Sequence, residues 1–161
     1  MGKEFITENF KETQKLGELL ASELRGGEII CLSGDLGAGK TTFTQGLLKG
    51  LKVKGPYTSP TFLVMKHYRV THNVERVSQK LKMIHDPRST LHAIYHIDAY
   101  RVNAKDILNL GWEEIVADKN NVIIVEWAEK IRKIIPKSAL WLQLQWIDEN
   151  KRKIIIKKLS S

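Results

Sequence analysis

The sequence predicts an α/β fold, a three-layer domain with a mixed, largely parallel sheet and a C-terminal β-hairpin. Three observations predict it. A short apolar run, Glu28-Ile29-Ile30-Cys31-Leu32-Ser33, leads into a glycine-rich turn and then a helical stripe of Phe43, Leu47, Leu48 and Leu51. Two further runs, Ala93-Ile94-Tyr95-His96-Ile97 and Val122-Ile123-Ile124-Val125, each end in an acid, Asp98 and Glu126. The second of them is entirely β-branched, as strands covered by helices on both faces tend to be. Near the end of the chain Leu140–Trp146 alternates, Asp148-Glu149-Asn150-Lys151 turns, and Lys153–Lys157 returns.

The elements follow in order. Asn9-Phe10-Lys11-Glu12 has the form of a helix start, an Asx cap followed by a glutamate at the third helical position. Phe10, Leu16, Leu20 and Leu24 then recur on one face until Gly26-Gly27 stops the helix, so the chain is expected to begin with a helix. The glycine-rich turn and its helix come next, closed by Gly50 and Gly55-Pro56. Thr58-Ser59-Pro60-Thr61 reads as a hydroxyl-rich loop before a strand through Phe62-Leu63-Val64-Met65. Within residues 71–92, Val74, Val77, Leu81 and Ile84 fit a helical stripe between polar and basic residues. A short helix through Asp106–Leu110 ends at Gly111, and another through Glu129–Lys133 ends before Pro136. No internal repeat, low-complexity tract or linker divides residues 1–161, so one domain is expected.

Composition narrows the class. At 42% hydrophobic and 27% charged, the 161 residues match an ordinary soluble globular protein. No apolar stretch approaches a membrane span, and Met1–Thr7 lacks a signal-peptide core, which makes the cytoplasm the expected location. The single cysteine, Cys31, excludes disulfide scaffolding within one chain and a cysteine zinc cluster. The formal charge of +8 favours encounters with polyanions such as nucleotides and RNA. A solvated basic face is the commoner explanation of such a charge.

The turn itself is the most specific signal. Gly34-Asp35-Leu36-Gly37-Ala38-Gly39-Lys40-Thr41 matches G-x-x-x-x-G-K-[ST], the phosphate-binding P-loop, with strand, loop and helix in register. Glycines let the backbone turn tightly and aim its N–H groups at phosphate oxygens, and the positive end of the helix faces the anion. Lys40 would reach the β- and γ-phosphates and the Thr41 hydroxyl would bind Mg²⁺. Hydrolysis also needs a positioned water and compensated charge. A second acid should come from a strand end beside the loop. Glu126 has the better form for a metal ligand or water-orienting group, Asp98 is its partner acid, and their roles are interchangeable at this level. A loop placed as Thr58–Thr61 is can close over the γ-phosphate or be a plain turn. His96 could orient water or simply pack in its strand. Trp127 could stack on a base or pack in the core, and Arg101 could pair with an acid or phosphate or stay solvated.

Taken together, these segments resemble the TsaE (YjeE) family. The matching blocks are Gly34–Phe43, Thr58-Ser59-Pro60-Thr61-Phe62, Tyr95–Arg101, Leu110-Gly111-Trp112-Glu113-Glu114 and Val125-Glu126-Trp127, in the family's order over residues 5–140. The resemblance implies a small P-loop NTPase fold and a weak, Mg²⁺-dependent ATPase. Its partners would be the TsaD–TsaB pair, which forms N6-threonylcarbamoyladenosine in tRNA and which this protein would reset between turnovers; tRNA contact would be indirect. By position, Asp35, Leu36, Gly37, Ala38, Gly39, Lys40, Thr41 and Thr42 would hold ATP, with Thr13 and Trp127 near the nucleotide. Thr41 and Glu126 would hold Mg²⁺, and Lys40, Asp98 and Glu126 would carry the chemistry. Two departures stand out: the length of residues 71–92, and Ala128 where the family commonly has proline. A small-molecule kinase on the same loop is the alternative, with Arg69, Arg76 and Arg88 near the lengthened connection but no visible acceptor motif. A GTPase lacks its Asn-Lys-x-Asp tetrad here, and a non-enzymatic RNA-binding module rests on charge alone.

Overall fold

The computed structural model describes residues 2–70 and 91–158. The helical stripe expected within residues 71–92, and Arg76 and Arg88, lie outside the described residues.

The chain enters through a strand, β1 (Lys3–Thr7), and only then through α1 (Phe10–Glu23). The expectation that it begins with a helix is thus corrected. β1 is a short edge strand, and what holds it is remote: it pairs antiparallel with the last strand, Lys3 opposite Ile156 and Thr7 opposite Arg152. There follow β2 (Ile29–Ser33), α2 (Lys40–Gly50), β3 (Met65–Arg69), β4 (Ala93–Asp98), α3 (Ala104–Leu108), α4 (Trp112–Ala117) and β5 (Asn121–Glu126). A 3-10 segment (Ala128–Ile134) stands where the sequence predicts an ordinary helix, and β6 (Leu140–Trp146) and β7 (Arg152–Lys158) form the expected hairpin.

The described strands form one seven-stranded sheet in the order β1-β7-β6-β2-β5-β4-β3. β4, β5, β2 and β6 run parallel at its centre, while β3, β7 and β1 are added antiparallel to their neighbours at the sides. Alternation along the central strands sorts side chains between two layers of helix. Ile30, Leu32, Ile94, Ile124 and Leu142 face α1 and α2, packing on Ala21, Phe43, Leu47 and Leu48. Cys31, Ile97, Ile123, Val125 and Trp141 face the other way, onto Ile107, Trp112, Ile115 and Ile131. Burying a Leu, Ile or Phe side chain contributes about 1.5–3 kcal/mol, so each face contributes substantially to stability.

Two further expectations shift. Phe10 belongs to the apolar stripe read from the sequence, but it is 61% exposed. α1 meets α2 instead through Gly17 and Ala21, which are buried, while Leu16 and Leu20 are partly buried beside them. The strand expected at Phe62–Met65 starts only at Met65. Phe62 and Leu63 lie in the turn before it and are exposed, and Val64 takes a positive φ of 64°. A β-branched residue is strained in that conformation, which ends the extended path there. The Val64 carbonyl nevertheless accepts from the Asp98 N–H at 2.9 Å, tying this turn to the end of β4.

Candidate functional site

The glycine-rich turn links β2 to α2 at the C-terminal ends of the parallel strands. Gly34 has φ 134°, and a Cβ there would lie 2.1 Å from the Leu144 carbonyl oxygen, so only glycine passes beneath β6. Gly39, at φ 98°, caps α2 without any side-chain bond, which leaves the first N–H groups of α2 aimed into the loop. These amides and the positive helix end make an anion cradle.

Lys40 opens α2 and is buried. Its Nζ donates to the carbonyls of Gly34 at 2.5 Å and Asp35 at 2.8 Å, and stands 3.6 Å from the centroid of the Trp127 ring. Burial holds its pKa below the usual lysine value, while Glu126, Glu129, Asp35 and Asp98 pull it back up. Next along α2, the Thr41 hydroxyl donates to Glu126 Oε2 at 2.8 Å. The other Glu126 oxygen, Oε1, lies 2.8 Å from His96 Nε2.

β4 and β5 end side by side, with Asp98 in register with Glu126. Both carboxylates are buried. Asp98 Oδ2 accepts from Ser59 Oγ at 2.9 Å and Thr61 Oγ1 at 2.7 Å, and Asp98 Oδ1 accepts from the Tyr100 N–H at 2.9 Å. The hydroxyl loop is therefore bonded to the end of β4. Trp127 follows Glu126 with φ 58°, a left-handed turn that swings its ring over Lys40 and against Tyr100, ring centroids 4.8 Å apart. Such strain for a bulky residue costs of order 1–3 kcal/mol and is characteristic of functional sites.

These groups surround one cavity of about 400 Å³. Its wall includes Gly37, Gly39, Lys40, Thr41 and Thr42 from the loop and α2, Asp98, Glu126 and Trp127 from the strand ends, and Thr13 from α1. Leu36 also lines it, from the exposed tip of the loop. Asp35 and Ala38 shape the loop without lining the cavity: the Asp35 carbonyl accepts from Lys40 and from the Ala38 N–H. Thr13 is buried and shares a 2.8 Å hydroxyl bond with Thr7.

The sequence reading missed part of the wall. Phe10, Tyr100, Glu149, Asn150 and Arg152 also line the cavity. Arg152 Nε donates to the Gly37 carbonyl at 3.0 Å, and its Nη1 donates to Asp148 O at 2.7 Å and Lys151 O at 2.8 Å. In the sequence, Arg152 is only one of the 26 Lys and Arg residues behind the formal charge of +8. The signal that could have found Arg152 is the hairpin register, which sets it opposite Trp146 at the start of β7, together with the placement of β6 beside β2.

Known proteins share this arrangement of chain. The family model "Threonylcarbamoyl adenosine biosynthesis protein TsaE" matches residues 7–154. The chain is 38% identical over 156 residues to the tRNA threonylcarbamoyladenosine biosynthesis protein TsaE of Aquifex aeolicus, covering 96% of this chain and 95% of that one. It is 31% identical over 148 residues to the same-named protein of Bacillus subtilis, covering 92% and 80%. The crystal structure of Bacillus subtilis YdiB superposes with a TM-score of 0.70 at 28% identity, covering 99% of this chain and 88% of that one. With nearly the whole chain matched in sequence and in fold, this protein belongs to the TsaE family.

Proposed function

We propose that the protein binds ATP with Mg²⁺ in this cavity and hydrolyses it slowly, as the accessory member of the machinery that forms N6-threonylcarbamoyladenosine in tRNA. In this reading the ATP cycle resets the TsaD–TsaB transferase between turnovers. Such work belongs in the cytoplasm. No helix among the described residues is long and apolar enough to cross a membrane.

The observation that carries the reading is the 2.8 Å contact of the Thr41 hydroxyl with Glu126, one residue along from the Lys40 ammonium. A hydroxyl and a carboxylate oxygen are hard donors that suit Mg²⁺, which takes few protein ligands and completes its shell with phosphate oxygens and water. Among the described residues no group of three or more His, Cys, Asp or Glu could hold a metal unaided. Thr41 and Glu126 therefore suit an ion delivered with the triphosphate. When bound, Mg²⁺ would compensate charge on the β- and γ-phosphates.

The chain's own groups do the rest. Lys40 exchanges the Gly34 and Asp35 carbonyls for phosphate oxygens. The amides of Gly39 to Thr42 hold the phosphates in line. Trp127 and Thr13 flank the nucleotide. Asp98 joins the loop carrying Ser59 and Thr61 to the reacting end of the site, so closure of that loop is coupled to the position of the acids.

Equilibrium binding and hydrolysis by purified variants, with and without TsaD and TsaB, test the reading. Lys40→Ala should lose about 1.5–3 kcal/mol of binding, or about 10- to 150-fold in Kd. Glu126→Gln and Asp98→Asn should keep binding and lose turnover. Stimulation of the wild-type ATPase by the two partners is expected. Phosphoryl transfer to a small metabolite, with no effect of the partners, would transfer the assignment to a kinase.

A further inference from the structure

Glu126 is gripped at both oxygens. Thr41, on the cavity wall, takes Oε2, while His96, which does not line the cavity, has its Nε2 2.8 Å from Oε1. Both side chains of the His96–Glu126 pair are only 2% exposed. A carboxylate can only accept from its partner here, so His96 Nε2 carries the hydrogen and donates it. His96 Nδ1 is also buried and meets no partner among the described residues, so a hydrogen placed there would find no acceptor. The imidazole is thus held in one tautomer with one role. β4 supplies the geometry: His96 lies two residues before Asp98 on the same strand face, in register with Ile124, two residues before Glu126.

A carboxylate on a flexible glutamate can rotate and use either oxygen. With Oε1 fixed by a buried donor, Oε2 is the one left for Thr41. We infer that His96 is a positioning residue for the metal-facing oxygen of Glu126. It does not line the cavity and acts only by fixing the carboxylate. The inference rests on the proposed function, since it assigns Mg²⁺ to Thr41 and Glu126. Donors behind a metal ligand characteristically change metal affinity about 10–100-fold when removed.

The test is the binding of a fluorescent ATP analogue to the full chain, titrated with Mg²⁺ and repeated in EDTA, for wild type and for His96→Leu, His96→Gln and His96→Asn. The glutamine amide nitrogen reaches the place of Nε2, whereas the asparagine amide nitrogen reaches only that of Nδ1. His96→Leu and His96→Asn should raise the half-saturating Mg²⁺ concentration about tenfold or more, with binding in EDTA within about twofold of wild type. His96→Gln should restore most of the Mg²⁺ response. If leucine at this position prevents folding, the comparison of Gln with Asn carries the result alone. Equal Mg²⁺ dependence in the Gln and Asn variants would overturn the inference. A wild-type chain that binds the analogue without any Mg²⁺ response would also overturn it, while leaving nucleotide binding intact. A wild-type chain that binds no analogue at all would instead sink the proposed function.

Discussion

A methyl group added at Gly46 tests the packing on which the site is built. Its carbon would lie 2.0 Å from the Gln14 carbonyl oxygen, 2.7 Å from the carbonyl carbon and 2.9 Å from Cα, where ordinary contact begins near 3.4 Å. Gly17 faces the seam from α1, and a Cβ there would meet the Phe43 carbonyl oxygen at 2.5 Å. At both positions the obstacle is backbone, so no side-chain rotation relieves it and α1 must retreat by about 1.4 Å from α2. Helix propensity alone favours alanine over glycine by about 0.8–1.0 kcal/mol. Overpacking a tight contact costs about 1–3 kcal/mol and more where backbone must move, so the clash decides the sign. Gly46→Ala should lose about 2 kcal/mol or more net, and unfold roughly 4–8 °C lower in a chain of this size. Thermal and urea unfolding followed by circular dichroism measure it, with Lys11→Ala on the exposed side of α1 expected within about 0.5 kcal/mol of wild type. Because α1 carries Phe10 and Thr13 on the cavity wall, the same variant should also bind nucleotide more weakly. If Gly46→Ala unfolds at or above the wild-type temperature, the two helices are not in backbone contact and the reasoning fails.

Other outcomes are expected. Ser59→Ala combined with Thr61→Val leaves the Asp98 carboxylate only its bond from the Tyr100 N–H; the loop through Val64 should be cleaved faster in limited proteolysis, with stability down by about 1–3 kcal/mol, and an unchanged cleavage rate would contradict the side-chain tie of the loop to β4. Cys31 is fully buried and burial pushes its thiol well above the ordinary range, so a thiol reagent should fail to label it until the protein unfolds. The native thiol keeps its proton above about pH 8.5 while the unfolded one ionises, so stability is lost as pH rises through that point, by up to about 1.4 kcal/mol per pH unit. Cys31→Ala removes that contribution, and identical alkaline slopes for the two proteins would refute the assignment. Nucleotide binding should draw the Lys40 ammonium off the Trp127 ring and change its emission, a change that Trp127→Phe should abolish.

Several of these features were readable without coordinates. The face of α2 formed by Phe43, Leu47, Leu48 and Leu51 is buried as its spacing predicts, because helical period alone sets which side chains share a face. β4 spans the expected residues and β5 nearly so, Asn121 being added at its start, since a run of β-branched residues closed by an acid admits few other structures. The contact face of α1 was harder. An apolar stripe points to leucines, but close approach of two helices selects Gly17 and Ala21, whose value depends on a neighbour the local sequence does not name. The same applies to β1, whose pairing partner lies about 150 residues away along the chain.

What the sequence by itself determined is local. A strand, a glycine-rich turn and a helix in immediate succession specify the anion cradle, and two apolar runs ending in acids specify where carboxylates emerge. Backbone sterics and residue period act within about ten residues, so both are legible in one dimension. Only the tertiary structure decided which of these ends meet. Placing β5 and β6 on either side of β2 brings Glu126 to Thr41 and Arg152 to Gly37. Placing β4 beside β5 brings His96 to Glu126. Strand order and register arise from many weak contacts between distant segments, each too small to leave a signature of its own in the chain.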